Sequence, residues 1–195
     1  MTSSEAEALK DAVRRLHRAK DAAYRDAWKK RGEVMSIMAN IARKVDRLEY
    51  AATGAPASQD ESVFDTAVDL LVYSLKYQTY LADQDPTVAS TLFGGTGTAA
   101  PYSNGPSGFE ALLSALDMTL LDRPDRPARG DATQAVLAVF ADLERCFEGA
   151  GAPIDRRAER AGALTRAAVT LLIALSRETP DRFRGFVAAE SGGTA

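Results

Sequence analysis

The chain holds one cysteine, one histidine and one tryptophan in 195 residues. A lone Cys146 has no partner for an internal disulfide, which fits a reducing compartment and makes the cytoplasm the expected location. A lone His17 leaves no histidine pair for zinc, and no suitable cysteine stands near enough in pattern to suggest a thiol nucleophile; Ser36 and Ser74 lack a base partner. Between Leu16 and Arg18, His17 reads as a surface residue. No apolar run approaches the ~18 residues that cross a bilayer. The opening MTSSEAEALKDAV has no apolar signal-peptide core. A net charge of −3 argues against binding nucleic-acid polymers. Sustained period-two alternation is also missing, so strands are not expected. What remains is a chain 46% hydrophobic, enough to bury a real core.

The apolar residues recur at helical spacing. Residues 4–30 place Leu9, Val13, Leu16, Ala19, Ala23 and Ala27 three to four apart, with Ser3 or Ser4 as N-cap. Gly32 interrupts the pattern. A second helix is expected from Glu33 to Ala52, with Val34, Ile37, Met38, Ile41, Val45 and Leu48 inward, stopped by Gly54 and Pro56. ASQDES then supplies a loop and caps. A third helix, Ser62 to Ala82, buries Phe64, Val68, Leu71, Val72, Leu75 and Tyr80 or their neighbours. Asp85-Pro86 ends it or starts a further turn. Helices are also expected at about 107–121, 131–148, 155–177 and 180–189, with ESGGTA frayed. The fold class is all-α, a helical bundle of antiparallel hairpins.

Composition divides the chain into a helical region 1–92, a Gly/Ser-rich linker or flap 93–108, and a C-terminal helical half 109–190 packing on the first. The glycine-rich stretch lacks a following GK[ST], which argues against Walker-type phosphate binding. The halves echo each other. DRLEYAATGAP leads to AVDLLVYSL, and DLERCFEGAGAP leads to AVTLLIALS, with Thr170 where Asp69 stands and Arg166 where Asp65 stands. A degenerate internal repeat and chance likeness between Ala/Leu-rich hairpins both account for this.

Asp46 and Glu49 in KVDRLEY, and Asp65 and Asp69 in FDTAVDLLVY, each share one face of a helix. Carboxylates set into an apolar stripe are costly unless compensated, and oxygen ligands suit Mg²⁺ or Mn²⁺. Two such pairs facing across a hairpin could hold metal and, through it, phosphate. Lys29, Lys30, Arg31, Lys44 and Arg47 are candidate phosphate contacts. Trp28, Tyr24 and Tyr73 are candidate platforms for a nucleoside. The same acids have plainer readings: Asp65 as a helix N-terminal residue, Asp69 paired with Lys76 or Arg47, and Asp46 and Glu49 paired with neighbouring bases.

YRDAWKKRGEVMSIMANIARKVDRLEY, followed by FDTAVDLLVYSLKY, resembles the nucleotide modification associated domain of phages and bacteria. It is more distantly similar to the all-α nucleoside triphosphate pyrophosphatases of the MazG-like and dimeric dUTPase-like groups. The resemblance covers about residues 20–82. It implies Asp46, Glu49, Asp65 and Asp69 as Mg²⁺ ligands, with Glu49 also orienting the attacking water, and cleavage of a triphosphate to monophosphate and pyrophosphate. A homodimer is expected on the same ground. The MazG-like first pair is usually two glutamates and its second pair is spaced by three, whereas here the pairs are Asp/Glu and a spacing of four. A non-catalytic nucleotide-binding or scaffold protein of a nucleotide-modification or phage-related system is the alternative. A helical assembly subunit whose acids bridge between copies is a third.

Overall fold

The structure is a computed structural model that describes residues 1–53, 62–119 and 127–191. Its elements are α1 (Ser3–Tyr24), a 3₁₀ turn (Arg25–Trp28), a π-helix (Glu33–Met38) running into α2 (Ala39–Ala52), then α3 (Val63–Gln84), α4 (Pro86–Phe93), α5 (Ser107–Ala115), α6 (Arg129–Arg145), α7 (Ile154–Glu178) and α8 (Pro180–Ser191). The described residues contain no strand, as the absence of alternation implied. None of these helices is long and apolar enough to cross a membrane.

Local chemistry sets the ends. Thr2, not Ser3 or Ser4, caps α1: its hydroxyl accepts from the Glu5 N–H at 3.2 Å, while Glu5 accepts from the Thr2 N–H at 2.7 Å. This reciprocal pair satisfies two donors at once. Ser62 caps α3 by accepting the Asp65 N–H at 3.1 Å. Asp85 takes the Thr87 N–H at 2.7 Å with Pro86 in the first turn, so Asp85-Pro86 starts α4. The helix expected from Glu33 opens as a π-turn, because Gly32 enters it at φ +82° and the Ala39 N–H reaches back to the Val34 carbonyl. That wide turn brings Ile37, Met38 and Ile41 into the core together.

Two antiparallel hairpins form the centre. In α2–α3, Lys44 meets Asp69 while Glu33, one π-helix earlier, meets Tyr77. In α6–α7, Asp142 meets Arg160 while Arg129 meets Glu178. The hairpins then pack α3 along α7 and α2 along α6. Gln78 donates to Thr165 at 2.8 Å, and Asp65, at the other end of α3, meets Arg182 just beyond α7, so α3 and α7 also run antiparallel. Fully buried Leu70, Leu71, Leu75 and Tyr77 face Leu171, Leu172 and Ile173 in one core. Burial of this kind is the main stabilising term. Tyr80, expected inside, is only partly buried; Tyr77 takes the inner position.

The stretch expected as linker or flap is fastened along its second half. Asp83 accepts the N–H groups of Tyr102 at 2.6 Å and Ser103 at 3.0 Å, and Tyr102 stacks on Phe93 with ring centres 4.2 Å apart. Gly108 sits so close that a methyl there would stand 2.1 Å from the Tyr102 carbonyl oxygen. A carboxylate accepting two backbone donors orders a segment whose composition suggested freedom. The expected stop at Gly54 and Pro56, nearly all of ASQDES, residues 122–126 of the Pro/Arg break and the final four residues lie outside the described residues.

Candidate functional site

α3 carries a stripe at helical spacing: Asp65, Asp69, Tyr73 and Lys76. The end of α1 and its 3₁₀ turn pass over that stripe, and the start of α2 flanks it. Where they meet is a cavity of about 430 Å³. Its aromatic surface comes from Tyr24, Trp28 and Tyr73, with His17 beside them; its cations are Lys20, Arg25 and Lys76. No carboxylate is among its described lining residues. A mainly apolar concavity with a few convergent polar groups is the usual form of a small-molecule site.

Lys76 is the most unusual of these groups. It is only 8% exposed, and its ammonium stands 4.5 Å from the centre of the Trp28 ring. Attraction to the ring face partly replaces lost water, but no carboxylate is within ion-pair reach among the described residues. Burial pulls its pKa down to about 8, the charge of Asp21 pulling the other way. Trp28 also has Lys29 at 5.7 Å from its ring, and its indole N–H is buried without a partner. Such orphan donors are uncommon in a folded chain.

Asp69 is held between two ammoniums, Lys20 at 2.7 Å and Lys44 at 2.6 Å. Burial pushes its carboxyl up, but the two lysines prevail and hold it below the ordinary range. Asp65 takes its own cap hydroxyl, Ser62 Oγ, at 2.7 Å and the Arg182 guanidinium. Asp46 and Glu49 are exposed on α2. The four carboxylates expected about a cation are not gathered in this arrangement: among the described residues no three His, Cys, Asp or Glu side chains are arranged to hold a metal ion. Lysine, not metal, neutralises Asp69, and Lys20 comes from α1, 49 residues away. These residues as they stand do not fit Mg²⁺ or Mn²⁺.

Of the expected ligand contacts, Tyr24, Trp28 and Tyr73 line one cavity; Lys44 does not line it, and pairs with Asp69, which also holds the lining residue Lys20. Lys29 turns away to the Ser103 hydroxyl at 2.7 Å and to Asn104. Lys30, Arg31 and Arg47 are exposed and line no part of the cavity. His17 is not a surface residue: it is 1% exposed, stacked on Phe109 at 3.8 Å, with Nδ1 buried and unpartnered. Burial first, and the field of Lys76 second, lower its pKa to about 4, so the ring is neutral at neutral pH.

Lys20, Arg25 and Lys76 were not among the candidates. Lys76 did leave a signal, being the one lysine or arginine in the 22 residues of α3, between Leu75 and Tyr77. Arg25 left none. It takes φ +46° and ψ −124°, a region that favours glycine, and it makes no ion pair or hydrogen bond through its side chain among the described residues.

Comparisons with protein-family models, with curated proteins and with solved structures return no match to this chain.

Proposed function

We propose that the chain binds a nucleotide in the cavity beneath Trp28, the base against Trp28, Tyr24 and Tyr73 and the phosphate on the cations beside them. The observation that carries this reading is Lys76: a buried ammonium over an indole, with no carboxylate in ion-pair reach and none in the cavity lining among the described residues. An ammonium in that setting gains from an incoming anion what the protein does not supply. Flat aromatic walls suit a base because stacking tolerates any heterocycle.

Trp28 is the one tryptophan of the chain, so its fluorescence reports on the site directly. Nucleotides are expected to quench it saturably and to raise the melting temperature. Lys76→Gln should weaken binding by about tenfold or more, the loss of one charge-assisted contact. Absence of both responses across a panel of ribo- and deoxynucleotides overturns the reading.

The hydrolytic alternative, Mg²⁺-dependent conversion of a triphosphate to monophosphate and pyrophosphate, rests on the resemblance of residues 20–82. It requires Asp69 to exchange Lys20 and Lys44 for a cation. The same panel with Mg²⁺ or Mn²⁺, its products resolved by chromatography, tests it; monophosphate plus pyrophosphate, lost in Asp69→Ala, would move the assignment there. As for the expected homodimer, α3 and α7 already pair two hairpins within one chain, so we read the binding unit as a single chain. Light scattering of the purified protein checks that.

A further inference from the structure

We infer that Lys76 is the reactive amine of a covalent site, condensing reversibly with an aromatic aldehyde or ketone that carries an acidic group. A nucleotide would draw on the charge of Lys76, whereas a carbonyl compound draws on its lone pair, so neither ligand depends on the other.

The surroundings of the lysines set Lys76 apart. Lys10 has Glu7 at 3.1 Å, Lys29 has Asp26 at 3.4 Å, and Lys20 and Lys44 both meet Asp69. Lys30 is exposed. Lys76 is only 8% exposed and has no carboxylate within ion-pair reach among the described residues, its ammonium lying over the Trp28 ring. A carboxylate holds a lysine in its charged form; without one, burial favours the free amine. Burial is indeed the main cause that brings Lys76 down to about 8. Asp21 and Asp26 oppose it, and the charges of Lys29 and Lys20 add to it. Desolvation in an apolar pocket beside other cations is how an amine becomes a nucleophile at neutral pH.

The cavity supplies the rest. Its volume of about 430 Å³ suits a small molecule, and Trp28, Tyr24 and Tyr73 form walls against which a flat ring can lie. Arg25 lines the same cavity with its side chain unpaired among the described residues, and its guanidinium fork fits a carboxylate or phosphate. It holds that place at φ +46°, a strain of the kind that collects at ligand sites. In the condensation the ammonium gives up a proton and the nitrogen lone pair attacks the carbonyl carbon. A C–N bond forms as the C=O π pair moves to oxygen. Two of the three ammonium hydrogens leave with that oxygen as water, and the third stays on the iminium. Ammonium plus carbonyl thus gives iminium plus water, with no oxidant or reductant. A mainly apolar lining keeps out the water that would reverse the step.

The test incubates the full chain with 4-formylbenzoate and sodium cyanoborohydride, which reduces the imine to a stable secondary amine. Peptide mass spectrometry then locates the label. At neutral pH Lys76 is expected to be labelled at least about tenfold faster than the exposed Lys30, its rate rising with pH to a midpoint near 8. Benzaldehyde, which lacks the acid, and Arg25→Gln should each slow the labelling of Lys76. Unfolding in urea should erase its lead. Lys76→Arg, with unchanged helical circular dichroism, keeps a cation for a nucleotide and should take no label at that position. Labelling of Lys76 no faster than Lys30, or a lead that persists in urea, overturns the inference while leaving the nucleotide reading in place. A labelled Lys76 in a chain whose Trp28 fluorescence ignores every nucleotide overturns that reading instead.

Discussion

The α2–α3 and α6–α7 hairpins have similar apolar faces and different polar ones. Leu71 and Leu172 occupy matching places in AVDLLVYSL and AVTLLIALS, and both are fully buried in the shared core. On the outer side the match ends. Asp69 stands between Lys20 and Lys44, whereas Thr170 turns its hydroxyl onto the Arg166 carbonyl of its own helix at 3.0 Å. The cause lies outside both hairpins. α1 and its 3₁₀ turn lie across the first one and contribute Lys20, Tyr24, Arg25 and Trp28 to the cavity. Two hairpins can thus be equivalent as core and unequal as site, because a core needs apolar volume and a site needs a third element to close over it.

The largest effects should erase the difference. Leu71→Ala and Leu172→Ala are each expected to cost about 3–4 kcal/mol in urea unfolding, nearly the same for both, since each empties an equivalent buried volume. A markedly cheaper Leu172→Ala would show that the second hairpin is not an equal half of the core.

The next pair should expose it. Asp69→Ala removes the carboxylate that Lys20 and Lys44 share and is expected to cost about 2–3 kcal/mol, discounted from a fully buried pair because Lys20 is 42% exposed. Thr170→Ala should cost less than about 1 kcal/mol, its bond being local to its helix. Asp69 also predicts an acid limb. Its folded pKa lies below the unfolded one, so its contribution is complete above ~4 and is lost as pH falls through the folded value. Asp69→Asn should flatten that part of the stability–pH curve.

Lys76 predicts the opposite limb. Its folded pKa of about 8 lies below its ordinary value of 10.5, so the unfolded chain binds more protons between those values and stability rises with pH there. Lys76→Met should remove the rise and melt no lower near neutrality, while losing ligand. A buried lysine with no such limb would contradict the arrangement over Trp28. Smallest of all is Arg182→Ala, expected within about 1 kcal/mol, because its pairing with Asp65 is exposed.

Much of the fold was legible because helices follow from local spacing. The apolar period, the caps at Ser62 and Asp85, and the hairpin order all lie within a few turns of chain. Parts of the site were legible for the same reason: Asp65, Asp69 and Tyr73 share a face by spacing alone. The π-turn at Glu33 was not, since the apolar spacing there reads as a plain helix, and the Glu33 carboxylate meets Tyr77 and Arg157 from across the bundle. Nor was the fastening of residues 102 and 103, which depends on Asp83 from another helix.

By itself, then, the sequence determined an all-α chain, its helical stripes, its acids on α2 and α3, and the aromatics suited to a flat ligand. Tertiary structure decided which charges meet. An i,i+4 relation is set by the helix, but Lys20 against Asp69, Lys76 over Trp28 and His17 against Phe109 depend on how α1 crosses the bundle. That crossing is chosen by the summed burial of many side chains, and no short stretch of sequence contains it.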